Sequence, residues 1–442
     1  MSTITPFGHP FYVMAKPVGS SCNLNCSYCY FLSKEKGRMD EALLEEFIRQ
    51  NIEAQTQPEI LFTWHGGEPL LLPISYYARA LELQQRYAHG RHIDNCLQTN
   101  GTLLTDEWCE FFRKNNFLIG ISIDGPEPMH NAYRQDFDRT WRGIRLLQKH
   151  GVEWNAMATV NRRNADHPVE FYHFFKDLGC QYLQFTPVVE RTDSEGRLLA
   201  AMERSMESTK KGRSTTETVG SMESAKKWQS TIETVGAMES TKKGRSVIET
   251  VGAMESTKKG RSIVDAVEGK GEAFVTPESV EPKQWGRFLI ELYDEWFKED
   301  VGKIFVQLFD ATLANWVGHP PGICSMSPLC GLAPALQPDG SLYSCDHFVF
   351  PAFKLGNIRH QTIAEMMYGA QQQGFGRMKR NGLSQRCRQC DFLFACHGEC
   401  PRNRFLSGNE NYLCEGYQAF FRHIVPTMNQ MAQELTTRWR RN

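Results

Sequence analysis

Cys22, Cys26 and Cys29 share one short run, Ser21-Cys22-Asn23-Leu24-Asn25-Cys26-Ser27-Tyr28-Cys29-Tyr30, with the spacing C-x₃-C-x₂-C and an aromatic residue before the last thiol. Three thiolates on one loop can hold three corners of a cubane [4Fe–4S] cluster. The fourth iron then has no protein ligand, and an open coordination position separates a reactive metal site from a closed, structural one. The same cysteines also suit a zinc knuckle that borrows a distant fourth ligand. Further on, Gly66-Gly67-Glu68-Pro69 sets two glycines before a carboxylate. Glycine lets the backbone approach a ligand closely, and Glu68 with nearby carbonyls can accept hydrogen bonds from an ammonium group. A plain turn has the same composition. Arg134 offers a fork for a carboxylate, or is a solvated surface charge. Gln98 and Asn100 can line a pocket or cap a turn.

A second concentration of thiols comprises Cys324, Cys330, Cys345, Cys387, Cys390, Cys396, Cys400 and Cys414. Eight cysteines make two sets of four, and C-x₂-C-x₅-C-x₃-C over 387–400 is too dense for chance. Two iron–sulfur clusters or a pair of Cys₄ zinc sites satisfy the count. Cys96, Cys109 and Cys180 are left over and read as buried hydrophobes.

The elements that must position these groups follow from periodicity. Strands are predicted at 11–17, 60–64, 93–98, 117–123, 154–160 and 181–186. Helices are predicted at 40–55, 75–88, 105–115, 138–150 and 168–178. Strand and helix alternate with short loops, which implies parallel strands with helical crossovers. Reactive groups of such barrels sit at the C-terminal ends of strands, and the cysteine loop, Gly66-Gly67-Glu68, Gln98 and Ser122 all fall there. Trp285–Glu299 reads as an amphipathic helix.

Between these regions Met-Glu-Ser recurs at 206, 222, 238 and 254, a period of 16 residues, with Glu-Thr-Val-Gly between copies. Sixteen matches no usual solenoid period, and each copy has little apolar surface to bury. The expected organisation is residues 1–200 as a partial barrel, 203–265 as a disordered repeat insert or a partner-binding arm, and 266–442 as a linker helix and cysteine-rich domain. Lys and Arg (50) balance Asp and Glu (51), so no net field argues for nucleic acid or an anionic membrane. The N-terminal residues lack signal-peptide character and no apolar run is long enough to span a bilayer, so a cytoplasmic location is expected. There, 14 cysteines read as metal ligands before disulfides.

The cysteine loop with its aromatic residue and the Gly66-Gly67-Glu68-Pro69 segment resemble the signatures of radical S-adenosylmethionine (SAM) enzymes. The later cysteines resemble a SPASM domain with two auxiliary [4Fe–4S] clusters. Within that superfamily the resemblance is to anaerobic sulfatase-maturating enzymes. It implies an α/β fold, a partial (β/α)₆ radical SAM barrel followed by the SPASM domain, with SAM and three [4Fe–4S] clusters as cofactors. It assigns Cys22, Cys26 and Cys29 to the SAM-binding cluster, Cys324, Cys330, Cys345 and Cys400 to the first auxiliary cluster, and Cys387, Cys390, Cys396 and Cys414 to the second. Gly66, Gly67 and Glu68 would hold the SAM amino group, Ser122 and Arg134 its carboxylate, and Gln98 would line the pocket. Asp346, beside Cys345, would be the catalytic base. The implied reaction converts a Cys or Ser in an unfolded sulfatase segment of pattern Cys/Ser-x-Pro/Ala-x-Arg to Cα-formylglycine, with flavodoxin or ferredoxin as electron donor. Another SPASM peptide maturase, forming thioether or carbon–carbon bonds, and a zinc-rich interaction module are the alternatives. His65 departs from the glutamine that this branch often carries before the two glycines.

Overall fold

Short segments in which buried apolar residues alternate with small or polar ones become six parallel strands. They are β1 (Met14–Ala15), β2 (Glu59–Trp64), β3 (His92–Thr99), β4 (Leu118–Ser122), β5 (Trp154–Val160) and β6 (Tyr182–Pro187). The crossovers run through helices α1 (Glu41–Glu53), α2 (Ile74–Tyr87), α3 (Asp106–Lys114), α4 (Glu127–Tyr133), α5 (Phe137–His150) and α6 (Pro168–Asp177). This computed structural model describes residues 11–31, 34–192, 274–406 and 408–439. The 16-residue repeats and the expected insert at 203–265 lie outside the described residues.

The expected strand at 11–17 contracts to β1, although Tyr12, Met14 and Lys16 all donate their N–H groups to carbonyls of residues 332–336. Helix α4 was not anticipated. It is a single short piece after Pro126, too brief to display a helical period. The sheet also continues beyond the six strands. After β7 (Arg191–Thr192), which pairs with β8 (Phe274–Val275), come β9 (Phe305–Val306), β10 (Ala335–Leu336), β11 (Ser341–Tyr343) and β12 (Lys354–Asn357). The order is β12-β11-β10-β1-β2-β3-β4-β5-β6-β9, an open sheet, so the barrel is partial. Pairing of β10 with β1 joins the cysteine-rich C-terminal region to the first barrel strand.

Register decides which side chains can form a site. Leu97, Ile119, Ile121, Ala156 and Ala158 are buried in the core, while Gln98, Gly120 and Asn155 stand side by side across β3, β4 and β5. A Cβ at Gly120 would lie 2.0 Å from Gln98 Oε1, so only glycine leaves room for that side chain. Helix α1 starts where Asp40 Oδ1 accepts the Leu43 N–H at 2.7 Å, a cap whose loss typically costs ~1 kcal/mol. Trp64, Tyr77 and Trp108 stack edge to face at 5.6 and 5.7 Å, and Tyr77 donates its hydroxyl to Pro69 O at 2.9 Å. That core contact anchors the Gly66–Pro69 turn.

In the C-terminal region the Pro282–Glu299 helix buries Trp285, Phe288, Leu289, Leu292 and Trp296. It meets the Cys414–Trp439 helix where Gly286 and Gly416 touch backbone to backbone. The helices Ala370–Asn381, Gln385–Arg388 and Leu393–Cys396 lead to the last cysteines. Among the described residues no helix is long and apolar enough to cross a membrane.

Candidate active site

The cysteine loop follows β1, and the turn after β2 is laid against its entrance. Gly67 N–H donates to Gly19 O and Glu68 N–H to Ser21 O, both at 2.8 Å. A Cβ on Gly67 would sit 2.0 Å from Ser21 O, and Gly66 has φ +127°. The close approach that these glycines permit is thus to the entrance of the cysteine loop in the chain itself. Glu68 is buried. Its Oε1 accepts from Leu70 N–H (2.9 Å) and Thr99 Oγ1 (2.8 Å), and its Oε2 from Asn100 N–H (2.8 Å). Burial raises its pKa to about 7 despite those bonds.

Cys22 Sγ accepts from Leu24 N–H at 3.4 Å and from Asn100 Nδ2 at 3.8 Å, and the Cys26 thiol lies 3.6 Å from Arg134 O. Burial pushes Cys26 up to about 11 against the pull of Arg134, and Cys29 and Cys22 add to the rise, so the three thiols are electrostatic neighbours. Cys26 is disfavoured as a free anion, and a coordinated metal deprotonates such a thiol outright.

Gln98 Nε2 donates to Ser122 Oγ at 2.8 Å, which joins two of the predicted pocket residues. Arg134 is no surface charge: it caps the C-terminus of α4 and its side chain is nearly buried. Its Nε lies 3.2 Å from Asp124 Oδ2, and its Nη2 donates to Thr159 Oγ1 at 3.2 Å. Asp124 also accepts the Tyr28 hydroxyl. The aromatic residue before Cys29 is therefore tied, through a buried carboxylate, to the end of β4.

Asp346 meets two residues, Lys16 and Tyr30, that carried no expected role. Lys16, fully buried after β1, is 2.5 Å from Asp346 Oδ1. Tyr30, next to Cys29, donates its hydroxyl to Asp346 Oδ2 at 2.5 Å. Lys16 Nζ is also 3.4 Å from His65 Nδ1. Burial alone would raise the Asp346 pKa, but Lys16, His65 and His347 hold it well below the usual carboxylate range. His65 is pulled down to about 4 by burial and Lys16. Around them, Arg402 lies 5.0 Å above the Tyr30 ring and donates to Glu190 at 2.6 and 2.7 Å. The aspartate beside Cys345 thus stands at the barrel mouth, bonded to the end of β1 and to the cysteine loop.

Among the described residues no group of three or more Cys, His, Asp or Glu side chains is arranged to hold a single metal ion, but the later cysteines are electrostatic neighbours within each expected set. Cys345 is raised well above its ordinary value by burial and by Cys324, Cys400 and Cys330. Cys396, pushed up to about 12 by burial, feels Cys414 and Cys387. Cys387, Cys390, Cys396 and Cys414 line one cavity with Phe392, Tyr417 and Phe421. Four thiols turned into one largely apolar cavity suit an anionic cluster whose sulfurs need shielding from water.

Comparisons with known proteins agree with this geometry. The Radical SAM superfamily model matches residues 17–175, and the SPASM iron–sulfur cluster-binding domain matches 333–391. The serine-type anaerobic sulfatase-maturating enzyme of Bacteroides thetaiotaomicron is 47% identical over 98% of this chain and 94% of its own length. The chain belongs to the anaerobic sulfatase-maturating enzyme family. The serine-type enzyme of Klebsiella aerogenes is 33% identical over 96% of this chain and 88% of its own. The cysteine-type enzyme of Clostridium perfringens is 25% identical over 96% and 99%. A solved structure of native anSMEcpe with bound AdoMet and Cp18Cys peptide superposes with a TM-score of 0.73 at 25% identity, covering 96% of this chain and all of that one.

As a radical SAM/SPASM member of this family, the chain uses SAM and [4Fe–4S] clusters, and the zinc alternative does not hold. The family's two signatures were legible because cysteine and glycine spacing is local. Lys16, Glu190 and Arg402 were not, since each is a lone polar residue in an unremarkable stretch; His65 stood out only as a departure from the family pattern, and Tyr30 only as the residue after Cys29. The one usable signal was the position of Lys16 and Tyr30 on either side of the cysteine loop, at a strand end.

Proposed function

We propose that this chain oxidises a serine in an extended sulfatase segment to Cα-formylglycine, using Cys22, Cys26 and Cys29 for the SAM-binding cluster and Asp346 as the base. The observation that carries this reading is the junction at Asp346, where Lys16 at 2.5 Å and Tyr30 at 2.5 Å join the barrel end to the residue beside Cys345. Serine as the target is favoured by serine-type relatives at 32–47% identity, against 25–26% for the cysteine-type ones.

When bound, SAM and the clusters supply a radical that removes a hydrogen atom from the substrate Cβ and an acceptor for the electron left behind. The residues of the chain do the rest. Glu68, fixed by three donors, offers a rigid carboxylate to the SAM ammonium. Gly66 and Gly67 hold that carboxylate's turn against the cysteine loop. Ser122, oriented by Gln98, and Arg134, held by Asp124, would hold the SAM carboxylate. Asp346 accepts the serine Oγ proton. Loss of a hydrogen atom from Cβ acidifies the neighbouring O–H, so a carboxylate kept ionised by Lys16 is base enough, provided that it lies within hydrogen-bond reach. Cys324, Cys330, Cys345 and Cys400 form the nearer auxiliary ligand set, and Cys387, Cys390, Cys396 and Cys414 the farther one. A low-potential carrier such as flavodoxin or ferredoxin is the proposed donor.

The test is an anaerobic assay of the reconstituted chain with SAM and two short peptides of pattern Ser/Cys-x-Pro/Ala-x-Arg that differ only in the target residue. The serine peptide should lose two hydrogen atoms and gain an aldehyde, one for each 5′-deoxyadenosine formed. A thioether or carbon–carbon crosslink without aldehyde would overturn the reading.

A further inference from the structure

Between the two cysteine sets lies buried charge that the proposed reaction does not use. Lys379, on the Ala370–Asn381 helix, is 0% exposed, and its Nζ donates to Cys324 O at 2.6 Å and Ser325 O at 2.8 Å. Arg404, 1% exposed, donates to four main-chain carbonyls: Gly398 (2.8 Å), Lys379 (2.6 Å), His397 (2.9 Å) and Glu399 (3.1 Å). Among the described residues the hydrogen-bond partners of both cations are neutral carbonyls. The buried Glu399 carboxylate is engaged elsewhere, accepting from Asn403 at 3.0 Å and Asn411 at 2.7 Å.

A buried cation without an anionic partner is unfavourable, and main-chain dipoles only soften the loss of water. The missing anion has an address. Lys379 holds the carbonyl of Cys324 itself, and Arg404 holds that of Glu399, the residue before Cys400. Glu399 does not tell the two sets apart, since it pushes Cys324, Cys330 and Cys400 up as well as Cys396, and what differs is the exposure of the cation. The cation near Cys414 is Arg386, whose side chain is 49% exposed and screened by water. A cubane held by four thiolates is net anionic and becomes more so on reduction, so a fixed positive charge beside it favours the reduced form.

We propose that Lys379 and Arg404 form a fixed buried counter-charge for the cluster of the Cys324, Cys330, Cys345 and Cys400 set, raising its reduction potential relative to that of the second set. The electron released beside Asp346 then rests at the nearer cluster first. This inference depends on the ligand assignment proposed above. Lys379 and Arg404 are tuning residues and touch no substrate.

The experiment uses the full chain carrying Cys22→Ala, Cys26→Ala and Cys29→Ala, which silences the SAM-binding cluster. Its auxiliary clusters are titrated by electron paramagnetic resonance, and Cys387→Ala identifies the signal of the second set. Lys379→Gln, which keeps a donor but removes the charge, should shift electron sharing between the clusters about tenfold toward the second, or about 59 mV for one electron. Lys379→Arg should stay near the parent. Unshifted midpoints in Lys379→Gln with both clusters present, or equal shifts of both, would overturn the proposal. Iron loss in Lys379→Gln but not Lys379→Arg would support the counter-charge, whereas loss in both would make the role one of shape and overturn it. A parent chain with no auxiliary signals would overturn the ligand assignment itself.

Discussion

The barrel and the cysteine-rich region position their chemical groups by opposite means. In the barrel, Gln98 and Ser122 sit on regular strands whose other faces bury Leu97, Ile119 and Ile121. The site is set by packing, and the loops inherit their places from the strands. In the C-terminal region the proposed ligands Cys387 and Cys396 lie on helices of four residues, Gln385–Arg388 and Leu393–Cys396, Cys400 follows a turn where His397 and Glu399 have φ of 47° and 52°, and Cys414 opens the Cys414–Trp439 helix. A small apolar cluster of Cys330, Phe348, Phe353 and Phe375 supports the first cysteine set. Turns this short do not hold a shape alone, so the clusters must help to fold what binds them. The barrel is a scaffold for a cofactor, whereas the 385–400 segment is expected to depend on its clusters, although the helices Pro282–Glu299 and Cys414–Trp439 pack into the common core. Lys16, Tyr30 and Glu190 tie the two regions together at Asp346 and Arg402.

The largest expected effect comes from changing Cys22, Cys26 and Cys29 together to alanine. SAM cleavage should vanish and about 4 of about 12 irons should be lost, while circular dichroism stays unchanged, because packing holds the barrel. Loss of the fold would erase the contrast. Next, Cys387→Ala with Cys396→Ala should lower amide-exchange protection across 385–414 by more than ~100-fold and leave β3–β5 protected. Equal loss in both regions would make the barrel as cofactor-dependent as its neighbour.

A subtler effect concerns Glu68. Its pKa near 7 in the absence of SAM means that below pH 7 it is neutral and attracts an ammonium group poorly. SAM binding favours the ionised form and releases a proton, so affinity should rise as pH climbs from 6 to 8. Glu68→Gln should remove that slope and weaken binding about tenfold at pH 8. A slope that persists in Glu68→Gln would assign it to another group. The smallest effect is expected from deleting residues 205–252. SAM cleavage and peptide oxidation should remain close to the parent, since the near-identical polar repeats have little to bury. Loss of clusters in that deletion would contradict it.

The same contrast explains what could be read in advance. Strand five was legible to its ends, Trp154–Val160, because alternation over a whole strand is a local signal. The eight later cysteines were legible as a count, and their division into two sets came from family resemblance. Strands β10–β12, of two to four residues, carry too little pattern to be seen, and they are what bring Asp346 to β1. Helix α4, which Arg134 caps at its C-terminus, spans barely two turns and is too short to show a helical period. Lys16 was missed for a different reason: a lysine at a strand end reads as a solvated charge until its partner, 330 residues away (346 less 16), is known.

The division of labour is tested most directly at Asp346, where the two regions meet. Asp346→Asn keeps the shape of the side chain and removes the base. With SAM and the serine peptide, 5′-deoxyadenosine should still form, slowly and uncoupled from product, while formylglycine falls by at least ~10²-fold and all clusters remain. Formylglycine yield near that of the parent would remove Asp346 from the reaction and with it the claim that the C-terminal region completes what the barrel begins.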